Sequence, residues 1–382
     1  MIGLAYCDAK GCIYYDPRRE PLADGGVVRP ASNDELIPAP PGTMPMVLPG
    51  RHPALAAGAA PEFALAVALP AGYTRLLLPS YIKEDGAPAL PLFGYTFACV
   101  VEDGLQVAAT RTDEAEEWRP RSFAPGELEE LIRRKTASDP ANRILSQLAL
   151  CARDYGCFTA QNVFLEQGEA ALPVSPTCNA RCVGCISELQ DDRGVPAPQT
   201  RIAFDTTPEE LTRIAIAHLE AVPNGVVSFG QGCEGEPLLR SITIACAIEK
   251  IRSKTTAGTI NLNTNGSQPS ALRRCVEAGL QAIRVSLNSF RPGIYAAYYR
   301  PRRYGLDDVL ESIRLAVDAG LRVSLNYLTH PGVTDDSEEV EAAREFLRSV
   351  PVHMVQTRTL NIDPEWYFEV VGRPRQPLGM RH

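Results

Sequence analysis

From about residue 170 to residue 360, short apolar runs alternate with amphipathic stretches. The runs predict six strands: Ala170–Val174, Gly225–Gly230, Thr259–Thr264, Ala282–Leu287, Arg322–Leu328 and His353–Leu360. Between them the apolar positions recur at helical spacing. One predicted helix opens at the capping box Thr207-Pro208-Glu209-Glu210 and presents Leu211, Ile214, Ala215, His218, Leu219 and Val222 on one face. Others cover Leu238–Arg252, Pro269–Ala278, Leu306–Ala319 and a stretch from the cap Asp336 to Val350, with Glu339 at its third position. Strand and helix patterns in strict turn are the mark of parallel βαβ units.

Upstream the rhythm differs. Pro125–Lys135 and Pro140–Tyr155 read as helices, the second with Asp139 as N-cap and Gly156 at its end, and Gln161–Leu165 reads as a strand-like run. Before residue 124 the chain is rich in Pro, Ala and Gly. There Gly11–Tyr15, Glu62–Pro70, Thr74–Pro79 and Gly94–Ala109 read as strands, the last folded at a turn over Glu102-Asp103-Gly104. Residues 28–61 read as a Pro-rich extended loop. The predicted division is a β-rich accessory domain (1–124), a helical connector (125–169), an α/β domain (170–362) and a C-terminal tail (363–382).

An internal echo supports repeated βα units. Glu277–Asn288 (EAGLQAIRVSLN) is similar to Asp318–Asn326 (DAGLRVSLN), each a helix end, a Gly stop and a strand. Six units over about 185 residues allow about thirty residues each, the size of a βα unit with its loops. Spacing alone leaves a partial barrel and an open doubly wound sheet both open.

Composition narrows the class. Of 382 residues, 45% are hydrophobic and 22% charged, as in an ordinary globular protein. A net charge of −8 argues against nucleic acid and anionic membrane as partners. No apolar run reaches the roughly 18 residues of a membrane span, and Met1–Cys12 lacks signal-peptide features, so the expected location is the cytoplasm. Eleven Cys in such a chain point to metal binding for some of them.

Three of those Cys stand together. Directly after the first α/β strand, Val174–Ser187 (VSPTCNARCVGCIS) sets Cys178, Cys182 and Cys185 in a C-x3-C-x2-C spacing. Structural zinc and ordinary four-iron clusters take four protein ligands. A three-Cys site leaves one position for a group that is not protein. The motif resembles that of the radical S-adenosylmethionine (SAM) superfamily. The resemblance implies an α/β fold, a partial (β/α)6 TIM-like barrel behind the N-terminal β-rich accessory domain. It also implies a [4Fe-4S] cluster on the three Cys, with SAM chelated by the fourth iron. The expected enzyme is oxygen-sensitive and reductively cleaves SAM to a 5′-deoxyadenosyl radical that abstracts hydrogen from a substrate.

The other strand ends extend the resemblance, and chemistry in parallel α/β folds sits at those ends. Gly230–Leu239 (GQGCEGEPLL) resembles the family's G-G-E-P segment through Gly235, Glu236 and Pro237, with Glu234 where the first Gly would stand. Backbone carbonyls and the Glu236 carboxylate are the expected acceptors for the SAM ammonium. Asn263 at the end of strand 3 is expected to face the interior, followed by Thr264-Asn265-Gly266, which alone would be simply a turn. Ser286 and Asn288, two apart on strand 4, share a face and are implied to contact the SAM carboxylate and ribose. Strand 5 offers Asn326, and Gln356 and Arg358, two apart on strand 6, complete the expected cofactor-binding set.

Cys233, inside the strand-2 segment, is the candidate catalytic thiol, able to relay a hydrogen atom; its alternatives are a second cluster ligand or packing. Cys7 and Cys12 read as half of a second metal site or as two ordinary thiols. Cys99, Cys151, Cys246 and Cys275 read as packing residues, and Cys157 as buried or near the site. No Cys follows Cys275, so a second cluster would draw on Cys7, Cys12, Cys157 or Cys233. The basic run Arg300-Pro301-Arg302-Arg303, after Tyr295, Tyr298 and Tyr299, reads either as a contact for an anion or as a solvated loop.

The expected partners are SAM, an unidentified peptide, protein or small-metabolite substrate, and an electron donor such as flavodoxin or ferredoxin. The N-terminal domain is expected to cover the barrel mouth or present the substrate. The alternative is a non-catalytic zinc or iron–sulfur protein whose fourth ligand is Cys233 or Cys157. A third reading, a methyl carrier, needs Cys233 as acceptor.

Overall fold

The α/β strands lie at Glu169–Leu172, Val226–Phe229, Thr259–Thr264, Ala282–Leu287, Arg322–Thr329 and Met354–Thr359; they are strands 1 to 6. The structure, a computed structural model, describes residues 2–58, 63–102, 104–113, 123–124, 126–189 and 193–382. Strands 1 to 6 pair in parallel in chain order. A doubly wound sheet reverses its strand order part-way. This one does not, so it curls in one direction into a partial (β/α)6 barrel.

Alternation along the strands separates two faces. On strand 5, Val323 and Leu325 are fully buried in the core with the helices, while Ser324 and Asn326 face the interior of the curl. The helix Pro208–Ala221 shows the local logic. Thr207 and Glu210 form the expected capping box, Pro208 opens the first turn, and Leu211, Ile214, Ala215 and Leu219 are buried. His218 joins that face, its Nε2 3.0 Å from the Gly168 carbonyl, and burial holds its pKa below the usual imidazole value.

The N-terminal part is an antiparallel assembly around an eight-stranded sheet. It packs along strand 6 and the segment after it. Thr74 Oγ1 lies 2.8 Å from Thr357 Oγ1, Arg75 donates to the Leu360 carbonyl at 2.9 Å, and Arg51, fully buried, pairs with Asp363 at 3.0 Å.

Several expectations change. Residues 28–58 are not an extended loop: Val28–Pro30, Leu36–Pro38, Met44–Leu48 and Arg51–Pro53 are short strands, because prolines are tolerated at strand ends and edges, and residues 59–61 of the expected loop lie outside the described residues. Gln161–Leu165 is helical within Phe158–Leu165, which buries Ala160, Val163 and Phe164; a short apolar run does not distinguish strand from helix. The helix expected from Pro140 starts at Arg143. Its N-cap is Asn142, whose side chain accepts from the Ile144 amide at 3.2 Å, while Asp139 pairs with Arg213 at 2.7 Å. Leu238–Arg252 divides into a 3-10 turn, Pro237–Arg240, and a helix, Ser241–Arg252. Two unpredicted helices are Pro292–Tyr299 and Pro364–Val371. The second buries Trp366, Tyr367 and Phe368, so residues 363–382 are not a mere tail. Glu62, Asp103 of the predicted turn and Pro125 lie outside the described residues. No helix among the described residues is long and apolar enough to cross a membrane.

Candidate active site

The Cys loop leaves strand 1 at the C-terminal end of the sheet and is held on three sides. At its base Glu234 accepts four backbone N–H groups: Val174 (2.7 Å), Ser175 (2.8 Å), Gly230 (2.9 Å) and Gln231 (2.7 Å). One buried carboxylate thus ties the start of the loop to the end of strand 2. Burial pushes this carboxyl up to about 8, against those four donors, which favour its ionised form. A Gly at this position would make none of these bonds. The departure from G-G-E-P therefore has a structural function.

The backbone continues the connection. Gly235 N donates to Ser175 O at 2.7 Å and Glu236 N to Thr177 O at 2.9 Å. A Cβ on Gly235 would stand 2.0 Å from the Thr177 carbonyl oxygen, so no side chain fits. Glu236 does not turn a free carboxylate to the interior. It accepts from Thr264 Oγ1, from Asn265 N at 2.8 Å and from Leu238 N at 3.0 Å. Burial pushes it up to about 7. Its side chain is committed to positioning strand 3 and the 3-10 turn, which leaves backbone carbonyls of the segment as the acceptors for an ammonium group.

On a second side, Tyr298 and Tyr299 at the end of the unpredicted helix clasp the loop through their carbonyls. Val183 N donates to Tyr298 O at 2.9 Å and Arg181 N to Tyr299 O at 3.0 Å. Arg302 N donates to Asn179 O at 2.9 Å, so the basic run lies beside the Cys loop with Arg300, Arg302 and Arg303 exposed. On a third side, Asn265 Nδ2 donates to Asn179 Oδ1 at 2.9 Å and Asn179 Nδ2 to Ser267 Oγ at 2.8 Å.

Cys178, Cys182 and Cys185 are half-buried free thiols on this frame. Burial, then the neighbouring Glu236, pushes Cys178 up to about 11. Burial and the other two thiols push Cys182 well above its ordinary value. Three thiolates so close require a positive counter-charge, which a metal centre provides. Arg201, in a loop the sequence left unread, donates to Cys185 Sγ at 3.6 Å and to Ser187 Oγ at 3.2 Å. Among the described residues no three His, Cys, Asp or Glu side chains, the loop thiols included, gather closely enough to hold a single metal ion.

The interior face of the sheet is polar. Asn263 Nδ2 donates to the Gly230 carbonyl at 2.9 Å, and its oxygen accepts from Arg284 and Asn261, each at 3.0 Å. It faces inward as expected but is fully engaged. Ser286, Asn326 and Gln356 form a row across strands 4, 5 and 6 in direct register. Asn288 Nδ2 donates to Tyr367 Oη at 3.1 Å. The oxygens of Asn288, Asn326 and Gln356 are buried without a hydrogen-bond partner among the described residues. Such acceptors are costly unless a ligand satisfies them.

Cys233 is placed differently. Its neighbours include Cys151 and Cys157, and Cys151 together with burial pushes its thiol up. It is buried in the core cluster that also holds Cys151, which agrees with the packing alternative. Cys7 is buried and Cys12 exposed. Sequence reasoning missed Glu234 and Arg201 as well as the clasp of Tyr298 and Tyr299. Only the charge of Glu234 inside a glycine motif hinted at any of them.

A profile of the radical SAM superfamily matches residues 172–347. The chain is 31% identical over 168 residues to a GTP 3′,8-cyclase of Streptomyces coelicolor, covering 42% of this chain and 44% of that protein. It is 26% identical over 214 residues to the GTP 3′,8-cyclase of Staphylococcus carnosus, covering 55% and 59%. The chain thus spans about half the length of the curated relatives it matches. Among solved structures, a radical SAM methyltransferase from Sphaerobacter thermophilus aligns with a TM-score of 0.40 at 16% identity, over 54% of this chain and 64% of that one. Native anSMEcpe with bound AdoMet aligns with a TM-score of 0.38 at 17% identity, over 51% and 52%. The superfamily works with a [4Fe-4S] cluster and SAM, and the donor set here fits both: three clustered thiols on one loop, and unpartnered oxygens along the interior. From the profile match and the cysteine loop at its head, residues 172–347 are a radical SAM domain.

Proposed function

We propose that this protein is a radical SAM enzyme acting on a substrate held inside the partial barrel. The observation that carries the reading is the pairing of a three-thiol loop with unpartnered interior oxygens on strands 4 to 6. When bound, the reduced cluster and SAM supply a one-electron cleavage to methionine and a 5′-deoxyadenosyl radical, which takes hydrogen from the substrate. Cys178, Cys182 and Cys185 hold the cluster. Arg201 orients Cys185. Ser286 and Asn288 bind SAM, while Gly235 and Glu236 bring the strand-2 backbone to it. Asn263 fixes the interior floor beside Gly230.

The non-catalytic zinc or iron–sulfur alternative needs Cys233 or Cys157 as a fourth ligand. Cys233 is instead buried beside Cys151 and Cys157, which favours the catalytic reading. The same placement gives a methyl carrier no exposed acceptor at Cys233, which is 3% exposed.

The test is anaerobic reconstitution with iron and sulfide, addition of dithionite and SAM, and quantification of 5′-deoxyadenosine. Production that disappears in Cys182→Ala supports the reading. A protein that binds zinc instead and produces none overturns it.

A further inference from the structure

The interior of the sheet carries a charge that the reading above does not use. Strand alternation puts Arg284 on strand 4 and Arg358 on strand 6 on the face that holds Ser286, Asn326 and Gln356. Arg284 is occupied: its Nη1 and Nη2 lie 3.4 Å from the two oxygens of Glu169, on strand 1, and Nη1 donates to Asn263 at 3.0 Å. The Glu169 carboxylate is shared further with Ser228. Arg358 has no such partner. Among the described residues its guanidinium makes no hydrogen bond or ion pair, although it feels Arg284 and Glu169 across the interior. It is also solvent-accessible, although it stands on the interior face. It therefore lines open space. Beside it, Asn326 and Gln356 are direct register partners, each with a buried oxygen that accepts nothing.

An unneutralised guanidinium near a second Arg maintains a positive potential. Its planar fork matches a carboxylate or phosphoryl group in two-point contact. A few convergent polar groups around a concave space are what a small-ligand site presents.

We infer that the barrel interior binds an anionic group of the substrate, carboxylate or phosphoryl, with Arg358 as its main contact and Asn326 and Gln356 taking hydrogen bonds from adjoining N–H or O–H groups. This revises the expectation that Gln356 and Arg358 bind SAM. In assigning the anion to a substrate it rests on the radical SAM reading.

The experiment titrates the full chain, anaerobically reconstituted and saturated with SAM, with sodium pyrophosphate, with succinate and with the uncharged succinamide, by calorimetry. One of the two anions binds saturably and succinamide does not. Pyrophosphate identifies a phosphoryl-bearing substrate, succinate a carboxylate-bearing one. Arg358→Gln weakens that anion at least tenfold and SAM less than threefold, and Arg358→Lys recovers most of the loss. The inference is overturned if neither anion binds, if Arg358→Gln binds it as wild type does, or if Arg358→Gln loses SAM instead. Should Arg358→Gln not fold, phenylglyoxal modification of Arg358 in the wild-type protein is followed by mass spectrometry. Protection by the bound anion supports the site and no protection overturns it. Anion binding without 5′-deoxyadenosine production refutes the radical reading and leaves an anion site. Production without anion binding refutes the site alone.

Discussion

The guanidinium Nη2 of Arg201 lies 3.6 Å from Cys185 Sγ, so a cation donates to one of the three loop thiols. The Arg201 side chain is only 12% exposed and also meets Glu188. An N–H donor to a ligating sulfur stabilises the reduced state of an iron–sulfur cluster, because it offsets charge on the sulfur. Arg201→Leu should therefore lower the cluster reduction potential by about 65–130 mV, the loss of one charge-assisted hydrogen bond for a one-electron couple. Potentiometric titration followed by electron paramagnetic resonance measures it. An unchanged potential would show that Arg201 serves only to pack the loop.

Asn288 separates the enzyme from the structural metal protein. Its amide nitrogen is held by Tyr367 and its oxygen is unpartnered. Asn288→Ala should leave iron content at the wild-type level and weaken SAM by about tenfold, the value of one good hydrogen bond in a closed site. Calorimetric titration of SAM into the reconstituted protein checks this. Equal SAM affinity in the variant would remove Asn288 from the site.

Breaking the ion pair of Arg51 with Asp363 should be costly. Both side chains are almost fully buried, and Asp363 also accepts from Leu90 N at 2.9 Å and caps the last helix through Glu365 N at 3.0 Å. Arg51→Met leaves that carboxylate without its cation, which costs about 3–5 kcal/mol. Urea unfolding would show the loss. A loss under about 1 kcal/mol would mean that the contact between the N-terminal sheet and the barrel is not held here.

Glu210 gives an acid dependence of known sign. Its hydrogen bonds with Arg143, at 2.8 Å, hold its pKa down at about 2. A carboxylate whose folded pKa lies below the unfolded one adds stability above the unfolded value. That stability is lost as pH falls from about 5 to about 2. With Arg143 47% exposed, the contribution is about 2 kcal/mol after solvent screening. Glu210→Gln should flatten the slope of stability against pH in that window. A slope identical to wild type would assign the acid sensitivity to other carboxylates.

What was legible in the sequence was local. The strands Thr259–Thr264 and Ala282–Leu287 follow from apolar runs with turn residues at their ends, and the capping box at Thr207 follows from four consecutive residues. The Cys spacing pointed to a soft-metal loop because three thiols within eight residues share one short loop. Interior positions such as Ser286 and Asn326 follow from the two-residue period of a strand.

Tertiary structure decided everything that depends on which loop meets which. Nothing near Glu234 in the chain announces that its carboxylate will collect amides from residues 174–175, some sixty positions earlier. Arg201 reaches Cys185 only because the intervening loop returns. Cys233 was next to the motif in sequence, yet folding buries it beside Cys151. The short helix Pro292–Tyr299 escaped the pattern because Tyr295, Tyr298 and Tyr299 are all buried and give no amphipathic contrast. Periodicity records which face of an element is buried and not what buries it. Charge balance inside the barrel, where Glu169 takes Arg284 and leaves Arg358, exists only once strands 1, 4 and 6 have been brought around one space.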